Sequence, residues 1–333
     1  MQRLLTIILL LLAGIMLALP AAIGALGAKP AAPPEPDGAD SIPVKVFFPE
    51  SGKVEAIPLG AYLKSVVAGE MPPEFEMEAL KAQFVVARTY TVRRMKEFGG
   101  KGGCPLHPEA DVCADFSTSQ AFQTLEGLIR KHGKLTARSF WRRLGEAQAE
   151  TAGQVLTYKG ELIDALYHAV SGRLTENAAD YFTDAVPYLV AVDDRWGAHS
   201  PKLITQKRFE PGEFARALAA GGKSPVLAVT AAARAGRSPV QVVERTATGR
   251  VKSVRVGELT LTGRQFRERL GLRSTDFRVF LEGGQLVVET VGDGHGVGMS
   301  QYGADGMAQA GHTYRQILSH YYKGATVSRL FDG

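Results

Sequence analysis

The chain has 333 residues, 45% hydrophobic and 22% charged, with 2 cysteines and a formal net charge of +5. That composition is globular, with room for two domains or for one domain carrying a large insertion. The mild basic excess suits a polyanionic surface such as a cell wall or membrane; with no RNP-like aromatic-basic motif and no zinc-finger spacing, nucleic acid is not an expected partner.

After Arg3, "LLTIILLLLAGIMLALPAAIGAL" carries no charge from Leu4 to Leu26. An apolar run of about 20 residues suffices to cross a bilayer. Residues 1–27 therefore read as a transmembrane anchor or signal segment. The run passes through Pro20 without a clean Ala-x-Ala stop, which favours an uncleaved anchor, while the small residues from Ala21 to Ala28 keep the cleaved reading open. With Arg3 inside, a single N-terminal span leaves the body extracytoplasmic. Residues 28–42, "AKPAAPPEPDGADSI", read as a stiff Pro/Ala-rich linker, and the body as 43–330.

In the body, "PVKVFFPESGKVEAIPL" alternates apolar and polar residues about a Gly turn, a hairpin pattern. "PLGAYLKSVVAGE" has apolar residues at helical spacing and stops at Gly69. A stronger helix follows in "PPEFEMEALKAQFVVARTYTVRRMKEFGG", with Pro72 and Pro73 expected in its first turn. After a Cys-containing loop comes a basic helical stretch from Leu125 to Leu144. "GQVLTYKGELIDALYHAVSG" predicts two strands across Lys159-Gly160. From about Lys202 to Val291 the pattern is mostly strand, with short helices at "PGEFARALAA" and "GRQFRERLG". Gly-rich "GDGHGVGMSQYGADGMAQAG" and the helical "TYRQILSHYYKG" close the chain. The expected fold is α+β: a two-lobed mixed body, with a helical part at about 43–200 and a strand-rich part at about 201–291 flanking one cleft, and a C-terminal segment at 292–330.

Four glutamates crowd "GEMPPEFEME". Glu74, Glu76 and Glu78 are placed in the first turns of the second helix, where carboxylates complement free N–H groups and stay solvated. Glu70 differs. It sits in the elbow between two helices, after an apolar run, beside prolines that restrict the backbone. A carboxyl group among apolar neighbours has its pKa raised, as a general acid near neutral pH requires. His295, Gln301 and Tyr302 in the Gly-rich segment read either as sugar-binding and acid-positioning groups or as parts of a tight turn packing the last helix. His168 and Ser171 end a strand, where side chains often face a cleft. Gln83 and Arg88 are candidate sugar contacts, Arg88 alternatively an ion-pair partner. Cys104, His107 and Cys113 offer three zinc ligands, a disulfide, or free thiols.

Three stretches together, "GEMPPEFEMEALKAQFVVARTY", "LYHAVSGRLTEN" and "GHGVGMSQYGADGMAQAGHTYRQILSHYYKGATV", resemble the stage II sporulation protein D family, which includes amidase-enhancer relatives. The resemblance implies a lytic transglycosylase, a glycan-cleaving lyase acting on peptidoglycan strands during forespore engulfment from the mother-cell membrane facing the septal wall. It puts the catalytic carboxyl on Glu70 and implies as partners an anchoring membrane protein and an amidase or endopeptidase wall hydrolase. Chemistry of this kind requires no cofactor. An ordinary glycosidase would need a second carboxylate, for which Asp180, Asp184 and Asp293 are candidates. Some members bind zinc through a His, a Cys six residues later and a further Cys after another six; His107 and Cys113 match the first two, but Ser119 replaces the third. The competing expectation is a non-catalytic wall-binding module that enhances a partner amidase. A membrane-anchored structural protein is a third, which leaves Glu70 and the Gly-flanked His295 without a purpose.

Overall fold

The computed structural model describes residues 38–331 apart from 116, 183 and 220–223. The expected anchor and most of the expected linker lie outside the described residues. Among the described residues no helix is long and apolar enough to cross a membrane.

The body is mixed α+β. Strand β1 (Pro43–Phe48) pairs antiparallel with β2 (Lys53–Pro58), the hairpin expected from the alternation. Helix α1 (Leu59–Glu70) buries Leu59, Tyr62, Leu63, Val66 and Val67, and ends where Met71 turns extended. A residue before proline is pushed out of the helical region, so Pro72 stops α1 at Glu70. The next helix, α2 (Met77–Arg94), starts later than expected. Pro72 to Phe75 form a turn instead, closed by the Phe75 N–H on the Pro72 carbonyl and anchored by the buried Phe75 ring.

A parallel bridge joins β1 to β3 (Val112–Cys113). The basic helical stretch is two helices, α3 (Leu125–His132) and α4 (Lys134–Glu150), broken at Gly133 with φ 79°. The hairpin β4 (Gln154–Tyr158) and β5 (Glu161–Leu162) turns at Lys159-Gly160 as expected, and β6 (Tyr167–His168) and α5 (Ala178–Phe182) follow. Strand-rich sequence gives β7 (Ile204–Phe209), α6 (Pro211–Leu218), α7 (Val226–Arg234), β8 (Val240–Arg245), β9 (Val251–Val256), β10 (Leu259–Thr262), α8 (Gly263–Leu270), β11 (Phe277–Glu282) and β12 (Gln285–Val291). Helix α7 was not expected; its stretch, "VLAVTAAAR", reads as easily as a strand. The chain ends in β13 (Met299–Ser300), α9 (Gln301–Gln309), α10 (Tyr314–Tyr321) and β14 (Thr326–Arg329). Thr313 and Gln316 form a capping box at the start of α10.

Among the described residues two large hydrophobic cores form, with a small third cluster of Cys104, Ala110 and Cys113. The larger gathers α1, α2, α4, α9 and α10 with β1 and β4. The second belongs to β7–β12 and their helices, where Phe266 stacks on Phe277 with ring centres 4.7 Å apart and Phe209 and Phe214 pack nearby. Gly38–Ser41, which sequence reading leaves in the linker, is a 3-10 turn that buries Asp40.

Cys104 and Cys113 are joined as a disulfide. This overturns zinc at Cys104, His107 and Cys113, because disulfide sulfurs have no thiolate to give a metal. His107 stacks on Phe47 instead, and Ser119 accepts from the Cys113 N–H at 3.1 Å, closing the loop by a hydrogen bond. No cluster that could hold a metal ion occurs among the described residues. Replacing both cysteines by alanine is expected to cost about 2–3 kcal/mol, the loop-closure entropy of so short a ring, measurable as a lower urea midpoint than that of the oxidised parent.

Candidate active site

Glu70 ends α1, and its carboxyl group is sunk into the body. Three donors converge on it: the Ala121 N–H on Oε1 at 2.7 Å, the Tyr167 hydroxyl on Oε1 at 3.0 Å and the Gln301 amide on Oε2 at 3.2 Å. Each comes from a different part of the chain. Ala121 lies beyond the disulfide loop, Tyr167 on β6 and Gln301 at the start of α9. The last two are brought together because β6 and β13 pair in parallel, with Met299 opposite Tyr167 and Ser300 opposite His168.

Burial raises the pKa of Glu70 above the ordinary carboxylate value, while the hydrogen bonds from Ala121, Gln301 and Tyr167 pull the other way; burial wins. The Tyr167 hydroxyl also reaches Gln120 Oε1 at 3.1 Å, so its one proton has two acceptors to serve. Gln120 in turn donates to Thr91 Oγ1 at 3.0 Å, which fixes the amide so that its oxygen faces Tyr167. Burial and the neighbouring Glu70 charge push the Tyr167 phenol well above its usual range, so it is a hydrogen-bond donor and not a base.

Tyr167→Phe removes a donor that favours the carboxylate form of Glu70. The variant is therefore expected to carry a higher Glu70 pKa. Any activity that needs protonated Glu70 falls as pH rises through that pKa, so its alkaline limb should move to higher pH; an unmoved limb in a pH–rate profile would detach Tyr167 from the reacting group.

The other three glutamates differ from one another. Glu74 and Glu76 are exposed, but both precede α2, and Glu76 is its N-cap residue. Glu78 is not merely a solvated charge: it pairs with Lys81 at 2.6 Å and accepts from the Tyr314 N–H at 2.7 Å, capping α10. The candidate second carboxylates are engaged elsewhere. Asp293 is paired with Arg273 at 2.8 Å and Asp180 accepts from Asn177 at 3.0 Å; neither they nor Asp184 are among the hydrogen-bond partners of Glu70.

Of the other candidate sugar contacts, only Gln301 reaches Glu70. Arg88 is wholly buried and forms a two-pronged pair with Asp40 at 2.8 and 2.9 Å while capping the Gln154 carbonyl. Gln83 is likewise wholly buried on α2. Both are enclosed by the core that surrounds α2 on nearly all sides, so neither touches sugar in this conformation.

His168 and Ser171 are buried too. The His168 Nδ1–H donates to the Val297 carbonyl at 3.2 Å, which leaves Nε2 to accept from the Ser171 hydroxyl. Ser171 hangs from Asp194 by its backbone N–H, and the Tyr321 hydroxyl donates to Asp194 at 2.6 Å. Burial pushes the Asp194 carboxyl up to about 6 and holds His168 well below its usual range. His295, its ring 5.6 Å from that of His168, accepts from the Val297 N–H, and burial followed by Arg267 takes it down to about 4. With both imidazoles held neutral, these contacts tie the segment before β13 to β6.

Gly298 shows the same purpose: with φ 74°, a Cβ there would lie 2.0 Å from the Leu166 carbonyl oxygen. At Gly298 the close approach that glycine permits is to the chain's own strand. Tyr302 packs edge-on against Phe75 at 4.9 Å, with His199 alongside. Sequence reading missed Tyr167, Gln120 and Ala121, although Tyr167 directly precedes His168 in "LYHAVSG" and Gln120 stands in the "STSQAF" run.

A single sunken carboxyl group with three convergent donors defines this site as one built around one acid. A family model for the stage II sporulation protein SpoIID matches residues 49–158. Stage II sporulation protein D of Bacillus amyloliquefaciens is 36% identical over 289 residues, covering 86% of this chain and 79% of that protein. The protein of the same name from Bacillus subtilis is 36% identical over 292 residues, 87% and 80% of the two chains. The amidase enhancer of Bacillus subtilis is 27% identical over 309 residues, 80% of this chain and 40% of that protein. The chain belongs to the stage II sporulation protein D family.

Proposed function

We propose that the protein is a peptidoglycan lytic transglycosylase in which Glu70 acts first as acid and then as base. The observation that carries this reading is the Glu70 carboxyl group, its pKa raised by burial and its direction fixed by the Ala121, Tyr167 and Gln301 donors. Protonated Glu70 gives its proton to the glycosidic oxygen between N-acetylmuramic acid and N-acetylglucosamine as the C1–O bond breaks. The muramic acid C6 hydroxyl attacks C1, and its proton passes to the Glu70 carboxylate. The product is a 1,6-anhydro sugar; no water is consumed and Glu70 is returned protonated. One carboxyl group suffices, which fits a site where Asp180, Asp184 and Asp293 stand apart from Glu70's hydrogen bonds. As the Glu70 proton leaves, the Ala121, Tyr167 and Gln301 donors stabilise the charge that develops.

The place of action goes with this reading: the wall-facing side of the mother-cell membrane during forespore engulfment, with an anchoring membrane protein and an amidase as partners. A Cys104–Cys113 disulfide supports a compartment outside the reducing cytoplasm. The second reading, a non-catalytic module that enhances an amidase, draws on the likeness to the amidase enhancer. The test is mass spectrometry of peptide-stripped glycan strands after incubation with the full-length protein. Anhydro-muramyl ends are expected; binding without such ends favours the enhancer reading.

A further inference from the structure

A hollow of about 560 Å³ opens between the last turn of α2, the loop Gly99–Gly102 and the segment from Glu161 to Asp164. Arg93, Arg94 and Lys101 line it, against Glu161 and Asp164. Asp164 is already paired with Arg94 at 3.2 Å. Arg93 and Lys101 are exposed and have no carboxylate partner among the described residues; Arg93 donates only to the Leu162 carbonyl. Two uncommitted positive charges thus face one free acid, Glu161.

The hollow is joined to Glu70 by contacts. Arg94 lies over the Tyr90 ring at 3.3 Å, the Tyr90 ring meets that of Tyr167 at 6.4 Å, and Tyr167 donates to Glu70. Tyr90 feels both the Arg94 and the Glu70 charge. Tyr90 and Tyr167 therefore lie between Arg94, a wall of the hollow, and the candidate acid.

We propose that this basic hollow is an anion subsite of the same active site, and that it takes a carboxylate borne by a muramic acid residue near the bond above Glu70. The proposal rests on glycan being the substrate. A guanidinium fork and an ammonium group suit a carboxylate on a flexible substituent, and Arg94, fixed by Asp164 and stacked on Tyr90, forms the wall that orients it. In peptidoglycan that carboxylate has two sources: the lactyl group, free once the stem peptide is gone, or the acidic groups of the stem peptide itself.

The experiment measures binding. Full-length Glu70→Gln protein is titrated with peptide-stripped glycan oligomers, with the same oligomers after amidation of their lactyl carboxylates, and with oligomers that keep their stem peptides. Amidation is expected to weaken binding about tenfold, the loss of one charge-assisted contact. Arg93→Gln with Lys101→Gln, added to that background, should cost a similar factor on untreated oligomers and abolish the response to amidation. Tighter binding of stripped than of peptide-bearing oligomers assigns the lactyl group; the reverse order, with the charge variant again insensitive, assigns the stem peptide. Equal affinity of the parent for all three glycans overturns the subsite, as does a charge variant that weakens native and amidated oligomers alike. Because cleavage is not read, a non-catalytic Glu70 leaves the subsite standing, whereas failure to bind any glycan removes the glycan reading itself.

Discussion

Glu70→Gln is expected to lower the release of anhydro-muramyl ends by about 10²–10⁴-fold or more, since general acid catalysis alone contributes that much and here one group also serves as base. Glutamine keeps the shape and can still accept from the Ala121 N–H and the Tyr167 hydroxyl, but it can neither give nor take the proton. The fold should not suffer. Glu70 has a folded-state pKa raised above its ordinary 4.5, chiefly by burial. Ionising such a group costs folding free energy: nothing at pH well below 4.5, then a growing penalty as pH rises through the folded pKa. Removing it should leave the thermal midpoint of the variant at pH 7 to 8 equal to or above that of the parent. Loss of activity together with a clearly lower midpoint would instead make Glu70 a structural group.

Arg88→Met carries the largest expected stability effect. Arg88 and Asp40 are both fully buried, and the variant strands the Asp40 carboxyl group with only the Gln148 amide at 3.4 Å. Breaking a buried pair by removing one partner costs about 3–5 kcal/mol, because an uncompensated charge is left behind. Urea unfolding should show that loss, and Asp40→Leu combined with Arg88→Met should recover much of it. A variant that unfolds like the parent yet fails to bind glycan would restore Arg88 to the sugar contacts. The pair also ties Asp40 to the middle of α2, where the Arg88 side chain spans from Asp40 to the Gln154 carbonyl on β4.

Local chemistry was legible wherever one residue's backbone preference decides. Alternation gave the β1–β2 hairpin, Lys159-Gly160 the β4–β5 turn, and the Met71-Pro72-Pro73 run the elbow that ends α1 on Glu70. The same prolines misled at the other side of the elbow, since Pro72 and Pro73 fit a helix start as well as the turn that Phe75 anchors. Helix α7 escaped because its apolar residues suit a strand equally well.

The candidate acid itself was readable, because an apolar helix running into prolines singles out one glutamate among four. Its surroundings were not. Tyr167, Gln120 and Ala121 come from segments about 50 to 100 positions away in the chain, and no spacing rule links them to Glu70. Burial is likewise a property of all neighbours at once: Arg88, His168 and Ser171 carry polar groups that look exposed or functional one by one, until packing encloses them and assigns their hydrogen bonds to the chain itself. The sequence by itself determined the β1–β2 and β4–β5 hairpins and the elbow that ends α1, and, with the family resemblance, Glu70 as the candidate acid. Only the tertiary structure decided which polar groups converge on that glutamate, because parallel pairing of β6 with β13 and the packing of α2 are contacts between distant segments, set by the fit of the whole core.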